Sequence, residues 1–340
     1  MRVIVDSHIP HIHSLIEPYA QVLYLEPGDI CRDAVREADA LVVRTRTRCD
    51  ASLLDGSRVR FIGSATIGTD HIDLDYCAHH GISVHNAPGC NAPAVAQWVF
   101  CAIDAWMHER GMSRPEGLTL GVVGVGHIGS IVARWGRELG FNVLLNDPPL
   151  AAQCYQRDGS LDDIFFSPLD ELQRRCDIIT FHTPLTRSGQ WPTWHLCDRA
   201  FLNSLDHCRL VIDAARGPIA DNAALLDWHG DVALDCWENE PTISCPLLEK
   251  AIVATPHIAG YSTEGKQRGT AMMLAALNQF YGWDIPVPVI AAPAAGAARV
   301  TLDGIASSYD ILADTAALKT DPSAFESLRN HYRHRPEYKE

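Results

Sequence analysis

Short apolar runs alternate along this chain with longer stretches in which apolar residues recur at helical spacing. In the first ninety residues the runs fall at 3–5, 40–43, 61–64 and 82–84; from 118 onward they fall at 119–123, 142–146, 178–181, 210–213, 232–235 and 252–254. Runs this short and this uniformly apolar, separated by helical segments, predict parallel strands covered by helices on both faces. Residues 92–110 have few breakers after Pro93 and are rich in Ala, Val, Trp and Phe, predicting a long buried helix that joins two domains. Pro115-Glu116-Gly117 then punctuates the chain before the next strand. A last long helix is expected over 263–281, with Ala, Met and Leu at core spacing; returning to the first domain, it would make that domain discontinuous. Residues 285–298, rich in Pro and Ala without periodicity, read as a linker. Beyond it, a strand is expected at 299–302 and a helix at 323–334. The polar, basic end (Arg329, His331, Arg333, His334, Arg335) reads as a solvated terminus as readily as a functional one.

Composition narrows the classes. A chain of 340 residues predicts about two domains, each able to bury its own core. No apolar run reaches the ~18 residues of a membrane span, and Met1-Arg2-Val3-Ile4-Val5-Asp6 reads as a first strand rather than a signal peptide. The net charge of −14 argues against nucleic acid as a partner and requires local cations for any anionic substrate. The eleven cysteines are scattered, odd in number and without a C-x-x-C pair; they read as small buried hydrophobes in a reducing cytosol. His8, His11 and His13 lie close in sequence, but no Cys or acidic cluster completes a metal set there, and no metal is expected.

Chemistry enters at residues 121–129. Gly124, Gly126 and Gly129 have the G-x-G-x-x-G spacing between a predicted strand and an amphipathic helix over 128–139. The first glycine turns the chain tightly, the second admits a pyrophosphate to the backbone, and the third lets helix and strand pack closely. Free N–H groups at the helix start, near His127 and Ile128, suit phosphate. A second strand follows and ends at Asp147, 18 positions after Gly129. A carboxylate there suits the ribose diol of NAD and would repel the 2′-phosphate of NADP.

Three further residues follow successive predicted strands: Arg216 after 210–213, Glu240 after 232–235 and His257 after 252–254. A guanidinium can clamp a carboxylate in a bidentate pair. A Glu–His pair fixes the imidazole tautomer and raises its basicity, as a general acid–base requires. In the first domain, strand ends carry Arg44, Thr45, Ala65, Thr66, Gly68 and Asn86, a polar and flexible set where ligands of such sheets gather.

These residues, with FIGSATIGTDH at 61–71, APGCNA at 87–92, NDPP at 146–149, TFHTPL at 180–185, ARGPIADN at 215–222 and TPHIAGYSTEGKQRG at 255–269, make the chain resemble the D-isomer-specific 2-hydroxyacid dehydrogenases over nearly its whole length. The resemblance implies two doubly wound parallel-sheet α/β domains with a short C-terminal α+β appendage. A discontinuous flavodoxin-like substrate domain would comprise 1–91 and 258–284, a Rossmann NAD domain 92–257, and the linker with a dimerisation segment 285–340. It implies Arg216, Glu240 and His257 as catalytic residues. Gly124, Gly126, His127, Ile128, Gly129, Asp147, Thr183, Asp235 and Gly260 would bind NAD, with Asp235 on the nicotinamide carboxamide. Thr45, Thr66 and Tyr261 would touch a small phosphorylated 2-hydroxy acid, and the basic run at Arg44 and Arg46 suggests its phosphate site. The family implies a cytoplasmic homodimer built on a C-terminal domain of roughly a hundred residues; the stretch after the linker is about half that. Turnover of another acid of the glycerate or phosphoglycerate kind, and a non-catalytic NAD(H)-sensing role, stay open at this point.

Overall fold

The computed structural model describes residues 1–156, 165–288 and 299–339. They divide into two compact units, one formed by Met1–Asn91 with Ser262–Ala294, the other by Ala92–Tyr261 with Ala295–Glu340. Most of the expected linker lies outside the described residues.

The first unit holds a five-stranded, all-parallel sheet of β1 (Arg2–Asp6), β2 (Gln21–Leu25), β3 (Ala40–Val43), β4 (Phe61–Ser64) and β5 (Ser83–His85), in the order β2-β1-β3-β4-β5. This is the flavodoxin-like order. β3 and β4 are buried at every position, which is why they read as unbroken apolar runs. β2 escaped the sequence reading. It lies at the sheet edge with its residues exposed or half-buried, so burial places no continuous apolar demand on it. The helix Thr263–Tyr281 packs in this unit and buries Met273, Leu274 and Leu277. A β-carbon on Gly269 would come within 2.7 Å of the Ala65 carbonyl oxygen, so a glycine is what lets the helix approach the end of β4.

The second unit holds β6 (Thr119–Val123), β7 (Asn142–Asn146), β8 (Ile178–Phe181), β9 (Leu210–Asp213), β10 (Asp231–Leu234) and β11 (Val253–Ala254), all parallel, in the order β11-β10-β9-β8-β6-β7. A parallel bridge from Leu145 to Phe166 stands beside β7, where a dinucleotide-binding sheet carries its third strand. The helix Ala92–Glu109 is buried along most of its length. Its two indoles are satisfied inside the same unit: Trp98 donates to Thr255 Oγ1 at 3.0 Å and Trp106 to Asp231 Oδ2 at 2.8 Å.

After the linker, the strand expected at 299–302 is not formed. Thr301 instead caps the helix Leu302–Ala306, its Oγ1 accepting the Gly304 N–H at 3.2 Å. A hydroxyl three positions before a free N–H favours a helix start over one isolated pair of apolar residues. The expected helix over 323–334 is shorter, Phe325–Asn330, and another, Ile311–Thr320, precedes it. This segment is helical and integral to the second unit: Val300, Ile305 and Ile311 join the core around Trp98 and Trp106, while Leu318 and Phe325 join the core on the other face of the sheet. The basic end is not solvated throughout. Arg335, only 6% exposed, donates to the carbonyls of Ala94, Ile258, Ala259 and Tyr261 and to Gln97 Oε1, and its guanidinium lies 4.1 Å over the Tyr309 ring.

All eleven cysteines are free thiols, and most of them are buried. His8, His11 and His13 do not converge: His8 faces Asp6 and Glu26, His11 meets Gln267, and His13 stacks on Tyr24. No helix among the described residues is long and apolar enough to cross a membrane.

Candidate active site

In the second unit the glycine loop joins β6 to the helix His127–Leu139. Gly124 has φ 86°, and a β-carbon on it would meet the His182 carbonyl and the Thr183 methyl within 3 Å. On Gly129 the added carbon would lie 1.9 Å from the Gly124 oxygen, whereas on Gly126 it would meet nothing within 4 Å. Thus the outer glycines are demanded by packing, and Gly126 leaves its space open. Gly126 is also the N-cap of the helix and brings no side chain to its first N–H groups. Thr183 Oγ1 is buried and meets no hydrogen-bond partner among the described residues. An open backbone cradle, an uncapped helix N-terminus and an orphaned buried hydroxyl are the features a bound dinucleotide would satisfy. Asp147 sits at the end of β7, its carboxylate accepting the Val125 N–H at 2.8 Å and the Leu150 N–H at 2.9 Å, so it also braces the glycine loop.

The turns after β9, β10 and β11 are neighbours because these strands are adjacent in the sheet. Arg216 follows β9, with Nη1 donating to the Ala215 carbonyl at 2.7 Å. Its successor Gly217 lies so close to the β10 turn that a β-carbon would fall 2.1 Å from the Trp237 carbonyl. The β10 turn carries Glu240, whose Oε1 accepts the Trp237 N–H at 2.8 Å and whose Oε2 stands 2.8 Å from His257 Nδ1. The structure thereby brings Glu240 and His257 into one hydrogen-bonded pair.

His257 has φ 56°, a left-handed conformation that costs a residue with a β-carbon of the order of 1 kcal/mol. Asp235 holds it there. The Asp235 carbonyl accepts the His257 N–H at 2.8 Å, and the buried carboxylate accepts from Thr255 Oγ1 at 2.6 Å, Ile258 N at 2.7 Å and Ala259 N at 3.0 Å. Asp235 is therefore an anchor of the turn that carries His257, a role its sequence context did not disclose. Burial pushes its carboxyl upward, opposed by His257 and these donors. For Glu240 the balance reverses. Burial raises it, but the His257 imidazole, its hydrogen bond, the Trp237 N–H and Arg329 together hold the carboxyl below its ordinary value. Because Nδ1 faces Glu240, Nε2 is the nitrogen left for a substrate proton.

Arg329 was not singled out from the sequence as a site residue. It reaches from the helix Phe325–Asn330 to within 3.7 Å of Glu240 Oε2 and hydrogen-bonds the Tyr261 side chain. The Tyr261 ring also packs edge-on against Tyr332 and His334. Gly260 lies half-buried in the same turn.

In the first unit, Arg44 follows β3 and makes a two-point pair with the buried Asp6, at 2.9 and 3.1 Å. Thr45 is exposed at the tip of that turn and Arg46 is half-buried. Thr66 follows β4, its hydroxyl 2.8 Å from Ser64 Oγ, which in turn lies 3.2 Å from His71 Nε2.

The family model for the D-isomer specific 2-hydroxyacid dehydrogenase, NAD binding domain, matches residues 95–259, the stretch that carries the glycine loop, Arg216, Glu240 and His257. The chain is 42% identical over 341 residues to the erythronate-4-phosphate dehydrogenase of Bacteroides fragilis, covering 98% of this chain and 96% of that one. It therefore belongs to the family of D-isomer specific 2-hydroxyacid dehydrogenases, and residues 95–259 are its NAD-binding domain. A second relative, the erythronate-4-phosphate dehydrogenase of Bacteroides thetaiotaomicron, is 40% identical over 349 residues, with 100% of this chain and 98% of that one covered. In fold the chain is similar to the D-lactate dehydrogenase of Aquifex aeolicus complexed with NAD and lactic acid, with a TM-score of 0.67 at 23% identity, covering 83% of this chain and 96% of that one.

Proposed function

We propose that this chain oxidises 4-phospho-D-erythronate to 2-oxo-3-hydroxy-4-phosphobutanoate with NAD, a step of pyridoxal 5′-phosphate biosynthesis. The observation that carries the chemistry is the Glu240–His257 pair at 2.8 Å, at strand ends of the same parallel sheet that carries an open glycine loop; the choice of acid rests on the near full-length likeness to erythronate-4-phosphate dehydrogenases.

Gly124, Gly126 and Gly129, the backbone at His127 and Ile128, Asp147, Thr183, Asp235 and Gly260 hold NAD, which when bound supplies the acceptor for the hydride leaving C2. Arg216 binds the substrate carboxylate and polarises the C2 oxygen through charge-assisted hydrogen bonds. His257 takes the hydroxyl proton at Nε2, and in the reverse direction returns it. Glu240 fixes the tautomer by accepting at Nδ1 and stabilises the imidazolium once the proton has arrived. Thr45, Thr66 and Tyr261 contact the substrate, and Arg44 or Arg46 binds its phosphate. The protein is proposed to act in the cytoplasm, where its free thiols stay reduced, and as a homodimer.

Initial rates of NAD reduction with 4-phosphoerythronate, glycerate and 3-phosphoglycerate test the assignment; 4-phosphoerythronate should give the highest kcat/KM. A higher value for either of the other acids would replace the substrate, not the chemistry. His257→Ala should abolish turnover yet leave NAD binding intact, an outcome a nucleotide sensor would not require. Arg46→Ala should raise KM for the phosphorylated acid, and unchanged affinity removes Arg46 from the phosphate site. Sedimentation velocity that finds a monomer at working concentration would end the dimer proposal.

A further inference from the structure

The carboxylate that charges His257 is itself held by a cation from a distant part of the chain. Arg329 Nη1 lies 3.7 Å from Glu240 Oε2, the same oxygen that meets His257 Nδ1 at 2.8 Å. Its side chain is 12% exposed, and the guanidinium bonds the Tyr261 side chain and lies 4.0 Å from Glu326. Its Nε–H is buried and finds no acceptor among the described residues. A buried guanidinium with an unspent donor is a poor way to stabilise a fold, because an apolar side chain of similar volume would carry no desolvation cost. The placement makes sense for a charge that acts on its neighbours.

We propose that Arg329 is a positioning residue for the reaction: it sets the proton affinity of His257 through Glu240 and holds Tyr261 beside the catalytic turn. On this view residues 299–339 are part of the active-site architecture of their own chain. Arg335 supports the same arrangement by gathering the carbonyls of Ile258, Ala259 and Tyr261 on the turn that follows His257. The proposal rests on His257 being the general base.

The sign follows from the groups around the imidazole. Glu240 and Asp235 are the anions that face it, and His257 pulls both carboxyls downward. Arg329 partly neutralises Glu240, while the Arg216 cation of the β9 turn acts on the nearby Cys236. The Cys236 thiol is pushed well up by burial and stays neutral, while Tyr261 contributes a hydroxyl. Removing Arg329 leaves Glu240 more negative in effect, so imidazolium is favoured and the basic form appears only at higher pH.

The test is the pH dependence of kcat/KM for hydroxy-acid oxidation in the full chain and in Arg329→Gln, Arg329→Met and Arg329→Lys, together with the titration of the His257 ring protons by NMR. The acid limb should rise by about 0.5–1 pH unit in Gln and Met, lowering kcat/KM roughly three- to tenfold below the limb, and should return towards wild type in Lys. The His257 titration should move upward in parallel. Should Gln fail to fold, Met, which leaves no buried polar group, carries the same expectation. Limbs coincident with wild type in Gln and Met, or a Lys limb displaced as far as theirs, would overturn the role. A wild-type chain that turned over no 2-hydroxy acid would sink the functional reading instead, and the NMR titration would still decide whether Arg329 acts on His257.

Discussion

Glu240→Gln removes the negative charge from the Glu240–His257 pair. The amide keeps the size of the carboxylate, and its single oxygen, placed at Oε1, can accept both the Trp237 N–H and the His257 Nδ1–H, which lie 2.8 and 3.1 Å from that atom; its NH2 takes the place of the oxygen that met Nδ1 at 2.8 Å. What is lost is the attraction between carboxylate and imidazolium. For unit charges 2.8 Å apart in surroundings of effective dielectric ~20, that attraction is ~6 kcal/mol. The imidazolium charge is spread over the ring and the pair is partly exposed, so the realised effect is closer to 1–2 pH units, about 1.4–3 kcal/mol. Losing the anion makes imidazolium harder to form, so the His257 titration moves down. In the oxidation direction the base must be neutral, and the acid limb of kcat/KM should extend to lower pH by about that amount. In the reduction direction the proton donor is lost at a correspondingly lower pH. A weaker base also lowers the plateau, by roughly ten- to a hundredfold. Rate profiles in both directions, with saturating nucleotide, separate the two effects. An unchanged plateau and unchanged limbs would refute the assignment of this pair as the acid–base centre. A lowered plateau with fixed limbs would leave Glu240 an orienting group that does not charge His257.

Gly126→Ala should fold as stably as the parent to within about 0.5–1 kcal/mol, since its β-carbon meets nothing within 4 Å, yet lose NAD affinity tenfold or more because that carbon occupies the space opened for the pyrophosphate; a fluorescence titration showing parental affinity would place the pyrophosphate elsewhere. Asp213 gives a stability prediction. Burial raises its carboxyl to about 8, against the pull of the Ala215 and Arg216 N–H groups, so the folded chain keeps a proton that the unfolded chain releases near 3.8. The associated stability is full below the unfolded value and is lost as pH rises towards 8, by up to ~6 kcal/mol. Asp213→Asn should flatten this decline, seen as a Tm that falls less than that of wild type between pH 5 and 9; parallel curves would show that Asp213 is ionised in the fold.

Local pattern carried the reading of the sheets. Strands buried on both faces must be apolar at consecutive positions, and so β3, β4 and β8 were legible as runs, whereas the edge strand β2 was not. The glycine loop was legible for a similar reason: Gly124 and Gly129 are required by contacts within a few residues of themselves or with the neighbouring strand end, so their spacing persists as a motif. Arg216, Glu240 and His257 could be picked out because each follows a strand, and strand ends are where such sheets place ligands.

What lay beyond the sequence is the set of contacts between positions far apart in the chain. The capping hydroxyl of Thr301 turned an expected strand into a helix start, and the segment that follows buries Ile305, Leu318 and Phe325 against two different cores of the nucleotide-binding unit. That packing carries Arg329 to Glu240 and Arg335 to the turn after His257. In sequence both arginines sit in a basic, polar end, Arg329 within the helix expected over 323–334, and nothing local distinguishes a buried guanidinium from a solvated one. Hydrophobic period and turn chemistry are properties of neighbours along the chain, and the sequence by itself determined the parts they govern. The field around His257 is a sum over charges brought together by packing, and only the tertiary structure decided which charges those are.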